Sequence, residues 1–275
     1  MADLTYESLQ RELRGRVVGY TFSRGQGGPL VFLWAVGTGL FLSVWSIPQM
    51  AGIWTLAAGL FGGLIVRDHL SNPKVLAQVS RSFLQARFPA ERLSDAGHRD
   101  AIGKGIDVFQ EVLAKLGDIL KKRGLDEDLT QTVSDMDRLL ALEYESAQQV
   151  EEMERILRFI GADEAGSVRT RRPRASGTQD VAQDAAELHR QNVAAIQREA
   201  TEADELVDVI GQRMETLMLQ VFQMERQAID LVTTAEARQG SAEAIERLQQ
   251  LVDARRAAAR QLIELVAPDL RVSAG

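Results

Sequence analysis

The chain contains no cysteine, which excludes disulfides, thiolate catalysis and zinc–thiolate sites together. Histidine is nearly as scarce. Among 275 residues only positions 69, 98 and 189 are His, and none stands in an HExxH spacing. Asp126-Glu127-Asp128, followed by Asp135 and Asp137, lacks the central glycine and closing glutamate of a calcium loop. Acids opening a helix and meeting its dipole explain that run more simply. Gly103-Lys104-Gly105 is too short for a phosphate loop and lacks its Ser/Thr, so it reads as an irregularity at a helix start. No catalytic residue, metal site or cofactor site emerges, and the chain is expected not to be an enzyme.

One absence is local. From Gly25 to Val66 the chain runs 42 residues without Asp, Glu, Lys or Arg, broken near its middle by Pro48 and Gly52. At ~1.5 Å per residue this is about 63 Å of helix, enough for two crossings of a roughly 30 Å hydrocarbon layer. The expectation is a transmembrane hairpin over 29–66, with spans at about 29–47 and 50–66 and Trp45 and Trp54 at the headgroup level beside the turn. Arg11, Arg14, Arg16 and Arg24 precede it, Arg67, Lys74, Arg81, Arg87 and Arg92 follow it, and the turn carries no charge. Positive flanks stay inside, so both termini are expected in the cytoplasm of a multi-pass protein of the plasma (inner) membrane. Residues 1–99 carry ten Lys+Arg and six Asp+Glu, a net of +4, which leaves −11 on the other 176 residues to reach the total of −7. A basic collar at an anionic leaflet and an acidic body held away from it follow.

Two stripes in the collar are amphipathic. Leu9, Leu13, Val17 and Tyr20 share a helical face in the cytoplasmic segment 1–24. In the basic juxtamembrane segment 67–99, Asn72 is placed to cap a helix that Pro73 opens, with Leu76, Val79 and Phe83 on one side. Both stripes suit either the membrane surface or the cytoplasmic helices.

Inside the second span, Gly59 and Gly63 make a GxxxG spacing, with Ala58 and Gly62 as a second small pair. Such a face lets helix backbones touch in lipid, either to close the hairpin or to join a second copy.

The rest is expected to be helical, making the fold all-α. Segment 100–160 carries two amphipathic helices, the first with Ile102, Ile106, Phe109, Val112, Leu116 and Leu120 and ending near Gly124. The second starts near Asp126 and is stopped by Gly161. Residues 161–179 turn rich in Gly, Ser and Arg and read as a flexible linker. Its Arg169, Arg171, Arg172 and Arg174 form either a solvated connector or a contact for an anionic partner.

From Ala182 to Ala235, alternating steps of four and three pass through sixteen positions, fifteen of them apolar. His189 is the exception and suits a register-setting role better than metal binding. A period of 3.5 sustained this long indicates a coiled-coil seam, with Val207, Ile210, Met214, Leu217, Val221 and Met224 at its most apolar part. Leu206, Met218 and Phe222 widen that face toward a bundle of three or four helices. A final helix from about Ala242 to Val266, set off by Gly240-Ser241, completes segment 180–268.

These features point to a membrane-anchored scaffold or adaptor. Its expected partners are the lipid bilayer, further copies of the chain and a cytoplasmic protein, and the acidic body argues against nucleic acid. The alternative is a subunit of a membrane channel or transport complex organised by the coiled coil, which the absence of any intramembrane charge disfavours.

Overall fold

The computed structural model describes residues 6–23, 35–36, 55, 59–60, 62–68, 70, 72–123, 127–167, 179–226 and 231–266. Among them the chain is all-α, with six long helices and no strand. These are α1 (Tyr6–Ser23), α2 (Pro73–Arg87), α3 (Ala96–Arg123), α4 (Glu127–Ser167), α5 (Gln179–Arg226) and α6 (Leu231–Val266). A 3₁₀ turn, Ala90–Arg92, precedes α3. The chain divides into two compact units: 1–87 with 116–134, and 88–115 with 135–275.

In the first unit α1 and α2 form an antiparallel pair. Asn72 opens α2: its side-chain oxygen accepts the Lys74 amide at 3.0 Å and its carbonyl accepts the Leu76 amide at 3.1 Å. Pro73, which has no amide to satisfy, takes the first helical position. The Tyr20 hydroxyl donates to Gln78 Oε1 at 3.3 Å, and the Arg16 guanidinium lies 5.0 Å over the Phe83 ring. Leu9, Val17, Val79, Phe83 and Leu84 are buried. Of the placements the two stripes left open, helix packing is the one used, with each stripe set against the other helix of the pair. Helix–helix burial removes the apolar face that an interfacial helix would give to lipid.

The second unit is a helical bundle. Asp95 lies beside Glu151 and Gly105 beside Glu143, so α3 and α4 run antiparallel. Gly211 lies beside the same Glu143, and Arg255 reaches Glu199 and Glu202, so α5 and then α6 reverse direction again. The 3.5-residue seam on α5 is covered: Ile196, Ala200, Ala203, Val207, Ile210, Met214, Leu217 and Val221 are all buried in succession. On α6, Ile245, Val252 and Ala259 repeat every seven residues and are buried. At one end Val150, Met153, Ile156 and Ile160 of α4 pack with Ile196, Ala200 and Ala203 of α5 and Ala259 of α6. The small alanines let three helices approach there.

Helix α4 is the central member. From Asp135 to Met153 only Gln148 and Glu152 are exposed.

Several boundaries differ from the sequence expectation. Helix α4 passes Gly161 and continues to Ser167, so the linker is shorter than 161–179. A glycine inside a helix costs only about 1 kcal/mol, and Ala162, Glu164 and Ala165 are strong helix formers. The expected 54-residue helix is instead α5 ending at Arg226 and a new helix from Leu231, which runs through Gly240-Ser241 without a break. Burial of Ile245 against the bundle outweighs the local stop signal. No described helix is long and apolar enough to cross a membrane. The expected first span and its turn lie outside the described residues apart from Ala35 and Val36, and the described pieces of the second span are helical.

Candidate functional site

Two constructions stand out, one inside the bundle and one on the α1–α2 pair. The first is centred on Glu143 of α4, which is 2% exposed. Its carboxyl occupies space that both neighbouring helices leave vacant. A Cβ added to Gly105 of α3 would lie 2.7 Å from Oε2 and 2.8 Å from Leu140 Cδ1, and one added to Gly211 of α5 would lie 3.4 Å from Oε1. Gly105 therefore favours glycine, because a side chain there would meet the carboxyl and Leu140, whereas a Cβ at Gly211 would only touch the carboxyl at ordinary contact distance. Among the described residues Oε2 has no hydrogen-bond partner. Burial, and then the negative charge of Asp208, push the pKa of Glu143 up to about 8, so the group is neutral at pH 7.

Next to it, three helices are tied together around His98. Asp95 caps α3, its Oδ1 accepting the His98 amide at 3.0 Å. The backbone N–H groups of His98 and Gly97, with smaller contributions from nearby charges, hold the Asp95 carboxyl below its usual range. The His98 ring places Nε2 3.0 Å from Asp204 Oδ1 on α5 and Nδ1 3.9 Å from Glu151 Oε1 on α4. Burial pushes Glu151 up, but the amides of Asp95 and Ser94, the Ser94 hydroxyl and His98 outweigh it and hold its pKa down. On the other side of α4, Arg256 Nη2 donates to Glu145 Oε2 at 2.6 Å, and Arg255 Nη1 reaches Glu202 at 2.7 Å and Glu199 at 3.3 Å. These contacts fix the register of α3, α5 and α6 on α4. Among the described residues no cluster of three His, Asp or Glu has metal-holding geometry.

The second construction is a groove of ≈ 510 Å³ between α1 and α2. Gly15 and Gly19, one helical turn apart, form its floor on α1, and Arg11, Arg16 and Tyr20 line it with Glu12, Val79 and Ser82. Arg16 Nε donates to Glu12 Oε1 at 3.0 Å while its plane covers Phe83. A Cβ added to either glycine meets no atom within 4 Å.

The residues singled out from sequence fall as follows. Val207, Ile210, Met214, Leu217 and Val221 come together in the bundle core, while the side chain of Met224 lies outside the described residues. Gly59 and Gly63 are helical, and no atom lies within 4 Å of a Cβ added to either; Gly62 is half-buried and Ala58 lies outside the described residues. Arg169, Arg171, Arg172 and Arg174 also lie outside them.

Sequence reasoning missed the role of Glu143, Gly105 and His98. The visible trace was Gly211, a glycine set between the apolar seam positions Ile210 and Met214.

The chain matches no family model, no curated protein and no solved structure.

Proposed function

We propose that this chain is a membrane-anchored scaffold or adaptor, held by a transmembrane hairpin within 29–66, whose helical bundle mediates self-association or receives a protein partner on the cytoplasmic side. The observation that carries this reading is the uncharged stretch Gly25–Val66, together with its position between two paired helices. Helix α1 leads into the stretch and α2 leads out of it, and the antiparallel pairing of α1 with α2 brings the two ends of the stretch to one place, as a hairpin requires. Within the stretch, Leu60 and Leu64 are 71% and 59% exposed, so they have no apolar cover among the described residues and suit lipid. The bundle offers long helix faces whose register is fixed by ion pairs, which suits assembly.

Topology is the direct test. A Cys placed at Gln49 is expected to react with an impermeant thiol reagent from outside intact cells, and a Cys at Ser176 is expected to stay protected until the membrane is opened. The chain has no native Cys to confuse the readout. Labelling of Ser176→Cys with the membrane intact would reverse the orientation, and recovery of the chain in the washed soluble fraction would remove the anchor.

A further inference from the structure

Helix α5 has a second patterned face. Opposite its buried seam, Val209, Gln212, Thr216, Leu219 and Gln223 again advance by steps of three and four, and all five are exposed, Val209 at 48% and Leu219 at 55%. They lie within about 80° of one another around the helix and form a stripe about 21 Å long. The stripe carries no charge, although 26% of the chain is charged. Toward the N-terminus the same face turns acidic at Glu202 and Glu205, and Arg255 of α6 engages Glu202. Exposed apolar residues standing singly are ordinary, whereas an uncharged stripe with a period of 3.5 is the pattern of a helix that packs on another helix.

The flanking charges narrow what that other helix is. Asp208 and Glu215 border the stripe on the side of α3, where the Asp100 carboxylate at 2.9 Å, and then Glu215 and Asp208, hold the Lys104 ammonium above its usual range. Arg213 borders the stripe on the other side. Among the described residues Arg213 meets no carboxylate, and its buried Nε has no hydrogen-bond partner. The stripe lies between Asp208 and Arg213, so the two cannot meet within one chain. Their separation of five residues is the spacing at which flanking charges pair across two parallel helices packed on such a stripe. An identical helix, parallel and in register, therefore supplies the missing carboxylate to Arg213, and does so twice. Set antiparallel, the acidic flank with Asp208 and Glu215 would face its own copy and the two would repel.

We propose that the uncharged stripe of α5 from Val209 to Gln223 is a docking surface for a second copy of this chain, the two helices lying parallel and in register with Asp208 of each against Arg213 of the other. A contact two heptads long falls short of the roughly 1,200 Å² that stable complexes bury, so the pairing needs copies already gathered in one membrane. It rests on the anchored, self-associating reading and names the face that associates.

Because the chain has no native Cys, a single introduced Cys can form a disulfide only with another molecule. Full-length chains carrying Gln212→Cys, Leu219→Cys or, on the exposed face of α6, Asp253→Cys are oxidised in opened membranes and separated without reductant. A parallel pair brings both α5 positions within disulfide reach of their counterparts, whereas an antiparallel pair brings at most one. Dimers are expected from Gln212→Cys and Leu219→Cys, with about tenfold less from Asp253→Cys. Dimers from only one of the two α5 variants, or equal yields from all three, overturn the proposal. In the Leu219→Cys chain, Arg213→Asp sets acid against acid and is expected to cut the yield about fivefold, and adding Asp208→Arg is expected to restore it. A yield unmoved by the first change, or not restored by the second, overturns the pairing. Should either charge variant lose helix by circular dichroism, the cysteine pattern decides alone. A link from Leu219→Cys to a different polypeptide and none to itself gives the face to another partner and sinks the claim. Amine cross-linking of the unaltered chain separates this claim from the reading beneath it: oligomers there without cysteine-linked dimers strike this face alone, and a monomer by both methods removes self-association as well.

Discussion

Glu143 makes stability depend on pH in the direction opposite to most carboxylates. In the unfolded chain it ionises near its ordinary value of 4.5, and in the bundle near 8. Between those values the folded state holds a proton that the unfolded state has released. Its contribution is therefore complete below about pH 4.5, declines as pH rises, and levels off above about pH 8, at a slope approaching 1.4 kcal/mol per unit. Glu143→Gln keeps the shape and removes the titration. Thermal melts across pH 5–8 are expected to show a falling midpoint in the unaltered chain and a flatter profile in the variant; identical profiles would mean that Glu143 is ionised in the bundle. None of this was legible in the sequence. The carboxyl looks like any other on a helix whose apolar stripe drifts, and its unusual state arises from burial in the bundle and then from the charge of Asp208 on another helix. Gly105 was visible but read as a helix-start irregularity, because its partner lies 38 positions away.

At the scale of the helix, sequence pattern was a good guide to packing and a poor one to endpoints. The seam of α5 was readable because alternating steps of four and three leave one continuous face, and that face is buried from Ile196 to Val221, with His189 and Val193 half-buried before it. Truncating it has a defined cost. Ile210→Ala removes a fully buried side chain and is expected to destabilise the bundle by about 2–5 kcal/mol, whereas the exposed Gln212→Ala should change stability by less than about 0.5 kcal/mol. Thermal denaturation followed by circular dichroism separates them, and equal midpoints would move the seam off the core. The endpoint at Gly240 was misread because a stop signal worth about 1 kcal/mol competes with burial of Ile245, worth about 1.5–3 kcal/mol, and the one at Gly161 because helix formers follow it. The packing of α1 on α2 was one of two arrangements that their stripes allowed. Choosing between them required Tyr20 and Arg16 to find Gln78 and Phe83, a pairing across about sixty residues.

For the whole molecule, the scaffold reading makes assembly the measurable property. Gly59 and Gly63 present a smooth helical face with no atom within 4 Å of an added Cβ. If this face joins copies, Gly59→Leu, Gly63→Leu is expected to reduce cross-linked oligomers of the full-length protein in membranes, while the melting profile of the bundle stays unchanged. Oligomers of undiminished yield would place self-association elsewhere. Purified protein in sealed liposomes is expected to pass no current under applied potential, because the stretch 25–66 has no charge and few hydroxyls with which to replace an ion's hydration. The central place of α4 also has a consequence in time. This helix is made before two of the three helices that cover it, so it leaves the ribosome with only α3 for company. Synthesis proceeds at about 5–20 residues per second, so the interval from Ser167 to Arg226, where α5 ends, lasts roughly 3–12 s. Through that interval Ile156 and Ile160 await their α5 neighbours while the chain grows. Nascent chains arrested beyond Ser167 by the length of the exit tunnel are expected to be cut within α4 by a mild protease and to recruit holding factors, and chains arrested beyond Val266 by the same length are expected to resist; equal resistance at both lengths would show that α4 needs no later helix to settle.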